Sequence, residues 1–105
     1  MQEITKEYLY EIQTLIEQGE ERSLVAHLDN LHETDIALIL NQLRRDDVSY
    51  AYRLLKDDIR PAVLSDVDDE VLKEILSSLS SKEIAEDVID GLESDDAADI
   101  IGSLP

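Results

Sequence analysis

The sequence predicts an all-α fold in which about eight short helices stack on one another. Apolar anchors return every 12 residues, with one interval of 13. The anchors are Leu31, Leu43, Leu55, Val67, Leu79, Leu92 and Leu104. Within each interval, apolar residues tend to follow the anchor at offsets of five, eight and nine, as Ile36, Ile39 and Leu40 follow Leu31. These spacings place the side chains on one face of a helix.

Two helices are predicted before the repeat, within residues 1–30. The first carries an apolar stripe that stops at Gly19, which fits a helix C-cap. The stripe consists of Ile4, Tyr8, Leu9, Ile12, Leu15 and Ile16. The second contains Leu24, Val25 and Leu28. We expect residues 1–30 and the repeat of residues 31–105 to form one domain over residues 1–105.

Each repeat unit is predicted to be one helix of ~8–10 residues that ends near its anchor. Ser80 and Glu83 have the spacing of a capping box, and Pro61 stands near a helix start, where proline is tolerated. Helices this short are marginal alone, so they must stack, two units making one hairpin of ~24 residues. Two units depart from the pattern: Arg60 stands at offset five from Leu55, and the apolar pair after Leu79 shifts to Val88 and Ile89.

The charge excludes several functions. The 105 residues include 26 acidic and 9 basic side chains, a net charge of −17, and no cysteine. Such acidity argues against nucleic acid and against an anionic membrane surface as partners. No apolar run approaches the ~20 residues that span a bilayer. The net charge is −5 over residues 1–56 and −12 over residues 57–105, so most of the acidity lies in the second half.

No enzyme motif stands out in the sequence. The zinc-binding HExxH spacing, a GxSxG elbow and glycine-rich phosphate loops do not occur. His27 and His32 are five residues apart, which does not place them on one helical face. We therefore expect no catalytic residues and no enzymatic activity.

Metal binding is the stronger candidate. Asp95 and Asp99 are one helical turn apart on one face, with Asp96 beside them. A second acidic stripe is expected from Glu83, Asp87 and Asp90, opposite the apolar side of their helix. Mg²⁺ suits such carboxylates, because it keeps several waters and takes one or two protein carboxylates. The alternative is that the acids form a solvated face that keeps the helical stack soluble.

Three stretches resemble the N-terminal cytosolic domain of MgtE-type magnesium transporters. LHETDIALIL at 31–40 resembles the signature "LHPADIAEIL", and LESDDAADIIGSLP at 92–105 resembles "LDPDDAADLLEELP". LIEQGE at 15–20 resembles "LLEEGD". The resemblance covers about residues 8–105. It implies a right-handed superhelix, followed in the parent protein by paired CBS domains and a five-helix membrane domain, which are absent from this chain.

The resemblance also implies a function. By resemblance, we expect the parent to be a homodimeric membrane protein, bacterial in origin, and this domain to be cytoplasmic, without membrane contact. The resemblance also implies that Mg²⁺ bridges the acids of this domain to a CBS domain of the same parent and favours pore closure. By resemblance, Asp95 and Asp99 face the CBS domain, Asp96 is their neighbour, and Ala62 stands where some members have a further acidic ligand. The alternative is a protein-interaction module without a metal role, as in the similar domain of flagellar motor switch proteins.

Overall fold

The computed structural model describes residues 4–102, which form eight α-helices and no strand. The helices are α1 (Lys6–Gln18), α2 (Glu21–Asp29), α3 (Glu33–Gln42), α4 (Arg45–Arg53), α5 (Arg60–Asp66), α6 (Asp69–Ser78), α7 (Ser81–Ile84) and α8 (Ser94–Ile101). A π-helical turn, Ala85–Ile89, continues α7. The all-α prediction is confirmed. The last anchor, Leu104, and the final Pro105 lie outside the described residues.

The two helices before the repeat form as predicted. Thr5 caps the start of α1, its hydroxyl accepting a hydrogen bond from the Tyr8 backbone N–H at 3.1 Å. Gly19 ends α1 with φ of 69°, a left-handed conformation that glycine adopts without steric cost. Ile12 of α1 and Leu24 of α2 are fully buried where the two helices pack. The C-cap prediction at Gly19 is therefore confirmed.

The repeat anchors close their helices and enter the core. Leu43, Val67 and Leu79 are the C-cap residues of α3, α5 and α6. Five anchors are buried: Leu31, Leu43, Leu55, Val67 and Leu79. Leu92 is partly buried against the same core. Each unit is thus a short helix that ends near its anchor, as the period predicts.

Helices pack chiefly on the next helix but one. The closest pairs are α3 with α5 and α4 with α6, and α5 also contacts α8. This order fits a stack of helical hairpins and the expected superhelix, whose right-handed sense stays a prediction. The longest described helix, α1, has 13 residues. Between residues 4 and 102, no helix has the length and apolar character needed to cross a membrane.

The apolar face is mostly as predicted, with two corrections. Residues at offsets five, eight and nine are buried in three units: Ile36, Ile39 and Leu40; Val48, Ala51 and Tyr52; Leu72, Ile75 and Leu76. Ile101, expected on the buried face of α8, is 42% exposed, and Ile89 is 56% exposed. A periodic pattern identifies one face of a helix, but burial also requires a neighbouring helix to cover each position.

The π-helical turn lies in the only 13-residue interval of the repeat. The Asp90 backbone N–H donates to the Ala85 carbonyl at 2.9 Å, five residues back, so the turn accommodates one extra residue. Within the turn the register is still unshifted at offsets eight and nine from Leu79: these residues are Asp87 and Val88, and both are buried. The predicted shift to Val88 and Ile89 is therefore wrong for Ile89.

Candidate metal-binding surface

The acids of α8 lie at its start and along its outer side. Asp95 and Asp96 occupy the first helical turn, where the helix dipole favours negative charge. Ala97 and Ile100 are buried on the inner side of α8. Asp95, Asp96 and Asp99 are all exposed. The repeat therefore anchors α8 by its apolar side and presents its carboxylates to solvent.

Two of the three predicted acids share a cleft with an acid from another helix. Asp96 and Asp99 line an open cleft of about 160 Å³ together with Asp69. Asp69 belongs to the first turn of α6. The other lining residues are Leu64, Ser65, Val67, Leu72 and Ile100. Asp95 is not part of this lining, so the pair that converges on the cleft is Asp96 with Asp99.

Sequence patterns do not identify Asp69 as part of this surface. It lies far from α8 along the chain, and its only local feature is a place in the first turn of a helix. The folding of α5, α6 and α8 around one cleft brings its carboxylate to the same surface. Hard carboxylate oxygens suit Mg²⁺. However, no group of three or more His, Asp or Glu side chains within residues 4–102 is arranged to hold a metal ion by itself.

The expected second acidic stripe does not form. Glu83 accepts a hydrogen bond from Arg53 at 2.6 Å and completes the predicted capping box with Ser80. The Ser80 backbone N–H, and next the Arg53 guanidinium, lower the pKa of the Glu83 carboxyl. Asp87 is buried. Of the three acids of the expected stripe, Asp90 is the one that is exposed. The stripe prediction is wrong because the helix turns Asp87 inward and Glu83 towards α4.

The histidines have different structural surroundings. His27 Nδ1 lies 3.1 Å from the Tyr8 hydroxyl and its Nε2 lies 3.4 Å from Glu11 Oε1, which ties α2 to α1. Burial, then the Glu11 and Asp35 charges, raise the pKa of Tyr8. His32 is the N-cap residue of α3. Asp35, which the sequence did not single out, is buried, and no described residue forms a hydrogen bond with its Oδ2.

Ala62, where the resemblance implies a further acidic ligand in some members, lies in an acidic setting. It lines a cleft of about 450 Å³ with Asp29, Glu33 and Asp58. Lys56 also lines this cleft, and its Nζ lies 3.9 Å from Asp29 Oδ2. The acids around Ala62 come from α2, α3 and the loop before α5. They are a separate group from the acids of α8.

The fold and this surface define an all-helical repeat domain with carboxylates on its last described helix. Residues 31–105, from the first anchor onward, match the family described as the MgtE intracellular N domain. This match covers well over half of the chain, so the chain belongs to that family. It is an intracellular domain of the MgtE type of magnesium transporter, which is not a family of known enzymes. No curated protein and no solved structure matches the chain.

Proposed function

We propose that this chain is a regulatory domain that senses intracellular Mg²⁺ for a magnesium transporter. The observation that carries the proposal is the match of residues 31–105 to the MgtE intracellular N domain. The carboxylates of α8 supply the sensing surface: Asp95 and Asp99 as ligands, with Asp96 beside them. The partner is a CBS domain of the same parent, and the ion lies between the two domains.

Each site is half on this chain and half on the partner. Asp95, Asp96 and Asp99 are exposed, and the described part of the chain offers no complete cage of three or more ligands. Mg²⁺ keeps several waters and needs only one or two carboxylates from each surface. We therefore expect weak binding by the chain alone and stronger binding once a second acidic surface completes the coordination.

Charge repulsion favours the state in which the two domains are separated. Two unit charges ~4 Å apart repel by about 1 kcal/mol in water. Several such pairs across an interface separate two acidic domains when Mg²⁺ is scarce. When Mg²⁺ rises, the ion binds the closed arrangement better than the open one and shifts the population towards it. In the parent, the closed arrangement favours a closed pore.

The test is Mg²⁺-dependent association of this chain with the CBS segment of its parent, measured by sedimentation velocity at constant ionic strength. The wild-type chain is expected to associate more strongly as Mg²⁺ rises, and Asp95→Asn/Asp99→Asn to lose most of that gain. The control, Glu20→Gln/Glu21→Gln, removes two exposed charges near the start of α2 and should behave as the wild type. Association of equal strength with and without Mg²⁺ would instead indicate an interaction module without a metal role.

The structure suggests a finer division of the site. Asp96 and Asp99 share the cleft with Asp69, whereas Asp95 lies outside its lining. The single variants Asp95→Asn and Asp96→Asn, measured in the same association assay, distinguish a site made by Asp95 and Asp99 from one made by Asp96 and Asp99. Resemblance to the family predicts the larger loss for Asp95→Asn. A larger loss of Mg²⁺-dependent association for Asp96→Asn would indicate that the ion binds in the cleft.

A further inference from the structure

Two polar residues that stand at apolar positions of the repeat, Arg60 and Asp87, meet at the hydroxyl end of the buried Tyr52. Counted from the preceding anchor, Tyr52 stands at offset nine, Arg60 at offset five and Asp87 at offset eight. In the other units, offset eight carries buried apolar residues: Ile39, Ala51, Val63, Ile75 and Ile100. Asp87 is 6% exposed, so it occupies the same core position as an acid. The two departures, Arg60 and Asp87, therefore form one polar cluster with Tyr52 rather than separate exceptions.

The cluster joins three elements through one carboxylate. The Tyr52 hydroxyl, on α4, donates a hydrogen bond of 2.7 Å to Asp87 Oδ2, on the π-helical turn. An Arg60 guanidinium nitrogen, at the start of α5, lies 3.7 Å from the same oxygen. The guanidinium also lies over the Tyr52 ring, 6.0 Å from its centroid, and pairs with Asp57. Arg60 Nε is buried and has no hydrogen-bond partner among residues 4–102.

Stability alone does not account for this cluster. Replacing a buried ion pair with well-packed apolar residues is often neutral or stabilising, and the same chain uses apolar residues at the equivalent positions. The hydrogen bond from Tyr52 to the buried Asp87, however, requires one relative placement of α4 and the π-helical turn. The approach of Arg60 to the same carboxylate oxygen extends this constraint to α5.

Two of these elements, α5 and the π-helical turn, also pack against α8. These two elements contact each other as well. Gly91, between the turn and α8, lies so close to α5 that an added Cβ would be 2.4 Å from Pro61 Cγ. The same Cβ would lie 2.8 Å from the Asp87 carbonyl oxygen. The connection into α8 is therefore pressed against Pro61, the neighbour of Arg60.

We propose that Tyr52, Arg60 and Asp87 are positioning residues that set the orientation of α8 and, with it, of Asp95, Asp96 and Asp99. The π-helical turn accommodates the extra residue of the 13-residue interval. It allows Asp87 to be buried while Leu92 still packs against the core. The contacts of Tyr52, Arg60 and Asp87 support their role in orienting α8. The expected effect of that orientation on Mg²⁺-dependent association rests on the proposed function.

The test uses two variants of the chain. Tyr52→Phe removes the hydroxyl and keeps the ring. Tyr52→Phe/Asp87→Leu replaces both partners of the hydrogen bond with apolar groups and so removes the unpaired carboxylate, while Arg60 keeps its ion pair with Asp57, and we expect stability to recover towards that of the wild type. The orientation of α8 relative to α3 is measured without Mg²⁺ by backbone residual dipolar couplings. We expect α8 to reorient in both variants, including the double variant whose thermal midpoint returns towards that of the wild type. Tyr50→Phe, on the exposed side of α4, is the matched control and should leave α8 unchanged.

The second readout is the Mg²⁺ concentration at half-maximal association with the CBS segment. We expect it to rise several-fold in the stable double variant and to stay unchanged in Tyr50→Phe. Wild-type couplings for α8 in the double variant would overturn the positioning role, whatever its stability. If instead α8 reorients while Asp95→Asn/Asp99→Asn has no effect on association, the proposed function fails and the positioning role stands.

Discussion

Two consecutive repeat units solve the same packing problem in different ways. The unit after Val67 forms α6, a regular helix of 10 residues with four buried aliphatic side chains: Val71, Leu72, Ile75 and Leu76. The unit after Leu79 begins as α7, continues as a π-helical turn and places Asp87 where α6 places Ile75. The first buries only aliphatic side chains, whereas the second buries a carboxylate that also needs a tyrosine and an arginine from other units.

This difference shows where specificity is built into a repeat fold. An apolar unit packs against its neighbours with little demand on exact orientation. A unit with a buried carboxylate is stable only when its hydrogen-bond donors are in place. The second kind lies directly before α8, the helix that carries the acidic surface. The repeat is thus regular where it only stacks and irregular where it must orient a helix.

The largest expected effect comes from giving the regular unit the residue of the irregular one. Ile75→Asp places a carboxylate at a fully buried position of α6 without the partners that Asp87 has. An uncompensated buried charge costs about 3–5 kcal/mol, so we expect most of the chain to unfold. Urea denaturation followed by circular dichroism measures this, with Ile75→Val, at about 0.5–1.5 kcal/mol, as the control. Equal losses for both variants would contradict the comparison.

A smaller effect is expected from breaking the polar cluster. Tyr52→Phe leaves the Asp87 carboxylate buried without its 2.7 Å hydrogen bond. An unsatisfied buried group costs about 1–3 kcal/mol. The loss of unfolding free energy should fall in that range and be largely recovered when Asp87→Leu is added. A loss below about 0.5 kcal/mol, the range of ordinary surface substitutions, would mean that the hydroxyl contributes nothing.

The tyrosine also has a spectroscopic signature. Burial, and next the hydrogen bond to Asp87, raise the pKa of Tyr52. A raised folded-state pKa gives stability that is present below the usual pKa of 10.0 and is lost as the pH rises above it. In an alkaline absorbance titration, Tyr52 should ionise only as the protein unfolds, and therefore after Tyr8, whose pKa is also raised. Tyr52→Phe should remove that late component, and its persistence would contradict the assignment.

Overpacking the connection to α8 should have a further, moderate effect. Gly91→Ala brings a Cβ to 2.4 Å from Pro61 Cγ, so the turn or α5 must shift. We expect a loss of at least about 1 kcal/mol in unfolding free energy. Gly102→Ala is the matched control, because its Cβ would meet nothing closer than 3.4 Å. Gly91→Ala with the stability of Gly102→Ala would show that the close approach is unimportant.

The smallest effect concerns the capping box of α7. The pKa of Glu83 is lowered by the Ser80 backbone N–H and then by Arg53, so its stabilising contribution is present above its usual value of 4.5. That contribution is lost as the pH falls through the lowered folded-state pKa. A carboxyl NMR titration of Arg53→Gln should show Glu83 protonating at higher pH than in the wild type. An unchanged midpoint would remove Arg53 as a cause.

The sequence predicted the features that depend on local spacing. The period placed the anchors at helix ends, Gly19 marked a C-cap, and Ser80 with Glu83 marked a capping box, because each feature is encoded within a few residues. The exposure of the acids of α8 also follows from local spacing, because they lie opposite the buried Ala97 and Ile100. It remains a prediction that they bind Mg²⁺.

The features that were missed depend on tertiary packing. Asp87 was expected on an outer stripe, but it is buried. The local pattern did not indicate this, because its partners Tyr52 and Arg60 are many residues away in sequence. Asp69 joins Asp96 and Asp99 only when α5, α6 and α8 surround one cleft. A periodic pattern indicates which face is apolar, but it does not indicate which distant polar groups will meet there.

The central claim is that the acids of α8 take up Mg²⁺ together with a partner surface. The most direct measurement is the dissociation constant of the complex between this chain and the CBS segment, determined at several Mg²⁺ concentrations and constant ionic strength. The slope of its logarithm against the logarithm of Mg²⁺ concentration gives the number of ions taken up on association. We predict an uptake of at least about one ion for the wild type, which falls in Asp95→Asn/Asp99→Asn. A slope of zero for the wild type, or equal slopes for both chains, would contradict the claim.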